Sequence, residues 1–176
     1  MGIDLGGIGK GIALDAAARV LRNRGVRRAL LDFGGQVLAI GRPEGAPGWE
    51  VGIADPEDRG RAVAVLRIAG HSVATSANGE RSVPTPHGTV GHLLDPAEQR
   101  PARFAGSVTV AAPDATSADA LSTALFVKGP EGGVAWADER DIPALYLWRE
   151  AGGRLRQRPT RAFEERFKNW TDTSGD

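Results

Sequence analysis

Glycine and proline cut the chain between residues 25 and 75 into short apolar runs, too short for stable helices and long enough for strands. The breaks fall at Gly25, Gly34-Gly35, Pro43, Pro47-Gly48, Pro56 and Gly60. Between them Ala29 to Phe33, Val37 to Ile40, Trp49 to Ile53, Val63 to Ile68 and Ser72 to Thr75 are predicted as strands of a meander-like block, with Gly34-Gly35 as the tight turn of a hairpin. Helical periodicity flanks this block. Ile12, Ala13, Ala16, Ala17, Val20 and Leu21 predict an amphipathic helix over residues 10 to 24, stopped by Gly25. Ala118, Leu121, Ala124, Leu125 and Phe126 predict a second over Ser117 to Lys128, ended by Gly129-Pro130. Further strands are expected over Ser107 to Ala112 and Ala144 to Trp148, with a short helix near Glu131 to Asp138. Residues 78 to 104 are rich in Pro, Gly and polar side chains and are expected to form a long loop, apart from a short apolar patch at His92-Leu93-Leu94. The fold class is α+β, a mixed α/β domain over residues 1–150, followed by a polar C-terminal tail over 151–176.

At 176 residues and 41% apolar side chains, one substantial core is expected. The 22 basic and 22 acidic residues cancel, which leaves no net field to gather nucleic acid or an anionic membrane; binding must come from a local site. The absence of cysteine removes disulfides, thiolate ligands and a cysteine nucleophile together. No apolar run of about 18 residues is present, so no direct membrane span is expected, and the compartment stays open.

Three clusters carry possible chemistry. Asp4-Leu5-Gly6-Gly7-Ile8-Gly9-Lys10-Gly11 sets four glycines and a lysine at a helix entry, where free N–H groups and the helix dipole favour phosphate. It matches neither the P-loop nor the GxGxxG pattern, and read alone it also fits a tight turn that lets a helix pack closely. Thr116-Ser117-Ala118-Asp119-Ala120-Leu121-Ser122-Thr123 places Asp119 and Thr123 on one helix face, an oxygen pair suited to a hard cation such as magnesium. Thr116 with Asp119 equally resembles a capping box. His92-Leu93-Leu94-Asp95-Pro96, preceded by Thr75-Ser76-Ala77-Asn78, offers a loop histidine as a general base, or simply a surface histidine before a turn. His71 and His87 lack zinc spacing relative to His92.

Taken in order, these clusters resemble the ApbE family of FAD:protein FMN transferases. The family's Asp-Leu-Gly-Gly-x-Ala-Lys-Gly segment, Gly-Gly-Asp turn, Thr-Ser-Gly segment, His-x-x-Asp-Pro loop and Asp-Ala-x-x-Thr helix have counterparts in Asp4 to Gly11, Gly34-Gly35-Gln36, Thr75-Ser76-Ala77, His92 to Pro96 and Asp119 to Thr123. The resemblance implies a T-fold-like domain that binds FAD with Mg2+ at its pyrophosphate and transfers FMN to a threonine of a partner flavoprotein. The implied acceptor motif is Asp-Gly/Ala-x-Ser/Thr-Ala/Ser-Thr. It further implies that Asp119, Thr123 and the Gly7 carbonyl hold the metal, that Gly6, Gly7 and Lys10 lie by the flavin phosphate, and that His92 is the base. Thr75 and Ser76 would approach the flavin, and Asp95 would orient the His92 loop.

Several positions depart from the pattern. Gly9 replaces Ala, Gln36 an acidic residue, Ala77-Asn78-Gly79 a Gly-Asp-Tyr, and Ala97-Glu98 a Thr-Gly. The resemblance also implies about a hundred or more further residues before Asp4, which would complete the FAD pocket, so a shortened chain is expected. These departures keep two alternatives open: a FAD-binding module without transfer, and a Mg2+-dependent FAD pyrophosphatase giving FMN and AMP. A degenerate, inactive fragment is the remaining reading.

Overall fold

The computed structural model describes residues 5–78, 83–85, 88–168 and 170–172. Asp4, Gly79 and His87 lie outside them. The elements run α1 (Gly9–Asn23), β1 (Ala29–Phe33), β2 (Gln36–Ile40), β3 (Trp49–Ala54), β4 (Ala62–Ile68), β5 (Ser72–Ala77), β6 (Val83–Thr85), β7 (Gly88–Val90), β8 (Leu94–Asp95), β9 (Arg100–Pro101), β10 (Ser107–Ala112), α2 (Ala115–Asp138), β11 (Ala144–Arg149), β12 (Leu155–Pro159), α3 (Arg161–Arg166) and β13 (Thr171–Asp172).

An antiparallel six-stranded sheet, in the order β1-β2-β5-β10-β11-β12, forms the middle layer. The period-2 alternation of its strands divides two cores. Val37, Val73, Ala111, Leu145 and Leu147 face the second sheet, β13-β4-β3, and pack with Ile53, Leu66, Ile68 and Phe163. On the opposite face Val108, Val110 and Tyr146 pack on Leu125 and Phe126 of α2, while Leu38 and Ile40 pack on Leu14 and Ala18 of α1. All six residues of β10 are buried because both of its faces are covered. The hairpin at Gly34-Gly35 forms as the sequence predicts: both glycines have positive φ, 62° and 84°, which a two-residue turn of this twist requires.

Four expectations change. The stripe that α1 buries is Gly11, Leu14 and Ala18, with Leu21 partly buried, whereas Ile12 and Val20 are exposed. Small residues win that face because α1 crosses α2 closely: a Cβ on Gly11 would run into the Ala115 carbonyl and lie 2.6 Å from Thr116 Cα. The second and third predicted helices are joined across a kink at Gly129 (φ 68°). The expected long loop carries the hairpins β6–β7 and β8–β9, whose strands are too short to leave a periodic signal. Finally, the polar tail after 150 carries a strand and a helix of its own. Leu155–Pro159 pairs with β11 at the sheet edge, Thr160 caps α3, and Phe163 and Phe167 enter the core facing the second sheet. A few aromatic anchors in a polar segment suffice to dock it.

Candidate functional site

The crossing of α1 and α2 brings the first two motifs together. α2 begins at Ala115 with Asp114 as N-cap, whose carboxylate accepts from the Ser117 amide at 2.7 Å and the Ser117 hydroxyl at 2.9 Å. Asp119 is therefore a turn inside the helix and does not cap it, which removes the capping-box reading. Asp119 is 2% exposed, and its carboxylate accepts instead from α1: the Gly11 amide at 3.0 Å and Lys10 Nζ at 3.3 Å. Thr123, one turn further along the same face, lies against Gly7 in the turn preceding α1, where an added Cβ would sit 3.3 Å from Thr123 Oγ1. The glycine-rich entry thus spends the Gly11 amide on Asp119, and the Gly9 amide on the Leu5 carbonyl at 2.7 Å. Gly6 lies exposed in the same turn.

Ser76 joins this group from the sheet. Its hydroxyl is 2.9 Å from Ser122 Oγ and 3.4 Å from Thr123 Oγ1, and Ser122 in turn donates to the Asp119 carbonyl at 2.9 Å. Strand alternation sends the neighbouring Thr75 to the other face, where its hydroxyl is 2.8 Å from Thr109 Oγ1. Thr75 lines a cavity of about 410 Å³ with Gly35, Ala54, Arg59, Ala77 and Ser107. Among the described residues, the Ser107 hydroxyl in this cavity is buried without a hydrogen-bond partner. The two residues expected near the flavin therefore flank the sheet. The Gly34-Gly35 turn lies between the two regions: a Cβ added to Gly34 would lie 4.0 Å from Lys10 Cδ, and one added to Gly35 would lie 3.4 Å from an Arg59 guanidinium nitrogen.

The third motif is held more loosely. Leu93 packs on the helix-side core and its carbonyl accepts from the Ala102 amide at 2.8 Å, while His92 is exposed. The Asp95 carboxylate accepts from its own loop, the Ala97 amide at 2.8 Å and the Glu98 amide at 3.3 Å, and so shapes the turn between β8 and β9. Gly91 lies close against the Asn78 side chain just beyond β5, where an added Cβ would run into it, so the start of the His92 segment passes beside the strand bearing Ser76. Among the described residues, no hydrogen bond or ion pair links His92 or Asp95 to Lys10, Asp119 or Thr123.

Asp15, outside the motifs, and Gln36, the last residue of the Gly34-Gly35-Gln36 turn, complete the crossing. Asp15 of α1 accepts from the Ala115 and Thr116 amides, each at 2.9 Å, and from the Thr116 hydroxyl at 2.6 Å. Burial pushes its carboxyl up, but the Thr116 hydroxyl, those two amides and the nearby Arg22 charge outweigh it and hold it below the ordinary carboxylate range. Gln36 donates to the Ala115 carbonyl at 2.7 Å. In sequence Asp15 reads as the polar face of a helix; its position four residues after Gly11 is the signal that places it on the buried crossing.

The donor set suits a hard cation. Asp119, Thr123 and the backbone at Gly7 offer oxygen only, the carboxylate is buried, and Lys10 balances its charge from a position open enough to move. With Asp119 as the one carboxylate of this donor set, a cation held here would keep positions for anionic oxygens.

Residues 1–146 match the ApbE family. The FAD:protein FMN transferase of Klebsiella pneumoniae (strain 342) is 34% identical over 154 residues, covering 86% of this chain and 44% of that protein. The FAD:protein FMN transferase of Escherichia coli (strain K12) is 39% identical over 132 residues, covering 73% of this chain and 37% of that protein. Two solved structures superpose over 94% of the chain. They are the apo flavinyl transferase ApbE of Pseudomonas stutzeri, with TM-score 0.78, 31% identity and 51% of that chain covered, and the ApbE protein of Thermotoga maritima, with TM-score 0.83, 33% identity and 53% covered. The chain spans about half the length of these relatives or less. On the family match and these relatives together, the chain belongs to the ApbE family.

Proposed function

We propose that this chain carries the phosphate-side chemistry of a Mg2+-dependent FAD:protein FMN transferase. The observation that supports it most is the junction of α1 and α2, where Asp119, Thr123, Gly7 and Lys10 converge from segments more than a hundred residues apart. Asp119, Thr123 and the Gly7 carbonyl would hold Mg2+, which when bound supplies positive charge at the FAD pyrophosphate. Lys10, already at the edge of this group, would release Asp119 and take a flavin phosphate oxygen. Gly6 and Gly7 form the floor of the phosphate position, and Ser76 holds the Thr123 hydroxyl in place.

In the reaction the acceptor threonine Oγ forms a new ester bond to the FMN phosphorus, and the anhydride P–O bond breaks so that AMP leaves with the bridging oxygen. His92 would take the hydroxyl proton on a ring nitrogen. Asp95 fixes the turn behind His92, and Thr75 would meet the flavin portion from the cavity on the other face of the sheet. The acceptor is a flavoprotein bearing the Asp-Gly/Ala-x-Ser/Thr-Ala/Ser-Thr motif.

One observation favours a second reading, a FAD-binding module: His92 stands exposed and apart from the Asp119 group. Incubating the chain with FAD and Mg2+ separates the readings. AMP released only when an acceptor is present supports transfer, AMP released without one means pyrophosphatase action, and FAD bound with no AMP means a module.

A further inference from the structure

We propose that Asp15 is a positioning residue for the cation site, locking α2 to α1 so that Asp119 and Thr123 stay in register with Gly7. The proposal rests on the reading of these residues as a magnesium site. The contacts close a ring. Asp119 takes the Gly11 amide at 3.0 Å; one turn along α1, Asp15 takes the Ala115 and Thr116 amides at 2.9 Å and the Thr116 hydroxyl at 2.6 Å; one turn along α2 leads back to Asp119. Gly11 seats directly on Ala115 and Thr116, so the ring has no slack at the helix crossing.

Capping alone does not explain Asp15. α2 already has its own N-cap in Asp114, which serves the Ser117 amide from the same helix and does nothing to align α2 with α1. Asp15 serves two other amides, and it does so from the helix that follows Gly7 and carries Lys10. A carboxylate at that N-terminus also gains from the helix dipole, which favours this docking over a neutral side chain. Ligands on two separate elements bind a cation well only when their separation is fixed to about half an ångström, and Asp15 is the group placed to fix it.

The test is a Mn2+ titration of the full chain, followed by the spin signal of free Mn2+, with a melting curve for each variant. Asp119→Ala is expected to abolish binding. Asp15→Asn is expected to weaken it by about tenfold or more, the usual cost of losing a group that orients a ligand. Thr116→Val, which removes one bond of the ring from the other side, is expected to weaken it less, and it carries the same test should Asp15→Asn not fold. Asp114→Ala is expected to lower the melting temperature and leave the affinity unchanged. Equal affinity in wild type, Asp15→Asn and Thr116→Val, or an equal loss in Asp114→Ala, overturns the positioning role. No Mn2+ binding by the wild type, or full binding by Asp119→Ala, overturns the metal reading and the proposal with it.

Discussion

A buried carboxylate has to find charge or hydrogen-bond donors, and Asp119 finds a lysine and an amide on another helix. Because it does not cap its own helix, Asp119→Ala should remove cation-dependent AMP release while leaving the helix content unchanged; circular dichroism with an AMP assay checks both. Unaltered AMP release would contradict the metal assignment. Acid stability belongs to two other carboxylates. Asp15 lies below the ordinary range for the reasons given above. Burial likewise pushes Asp55 up, but the Glu57 amide and the Arg149 guanidinium outweigh it and bring it down. A depressed folded pKa adds stability that is complete above the unfolded value, about 4, and is lost as pH falls through the folded value. Melting temperature should therefore be insensitive to these groups near neutrality and drop below about pH 4, with a smaller drop in an Asp15→Asn, Asp55→Asn variant. Lys10, Gly7, Asp119 and Thr123 were legible in the sequence because each sits in an ordered motif. The partners of Asp15 and Gln36 were not, since neither the spacing of Asp15 from Gly11 nor the place of Gln36 after the glycine turn says what the side chain meets 100 or 79 residues away.

Elements with strong local periodicity or turn chemistry were the readable ones. The Gly34-Gly35 hairpin and the Gly25 helix stop follow from local rules alone, the latter by the Val26 amide on the Leu21 carbonyl and the Gly25 amide on the Arg22 carbonyl. The buried face of α1 was misread because a close helix crossing selects glycine and alanine over larger apolar side chains, a choice made by the partner helix. The strand and helix after residue 150 were not legible because the apolar content there is confined to a few positions. One of these, Phe163, is fully buried between the second sheet and β11, so Phe163→Ala should cost about 3–5 kcal/mol, measured by urea denaturation. A cost near zero would mean that α3 contributes nothing to the fold.

Over the whole molecule, one sheet separates two regions that meet at the Gly34-Gly35 turn. The Asp119 group lies on the helix side, and the cavity holding Thr75 and the buried Ser107 hydroxyl lies on the other. This division was invisible in Thr75-Ser76 as adjacent letters, yet it follows at once from strand alternation. On the proposed function, FAD would span two different environments, an oxygen-rich junction for its phosphates and a cavity lined by small residues together with Asp55, Glu57 and Arg59. The most direct test is the mass of an acceptor-motif peptide after incubation with this chain, FAD and Mg2+, beside a sample containing chelator. The account predicts a gain of one FMN that the chelator prevents. A peptide of unchanged mass, with FAD still bound to the chain, would contradict transfer and leave the binding module.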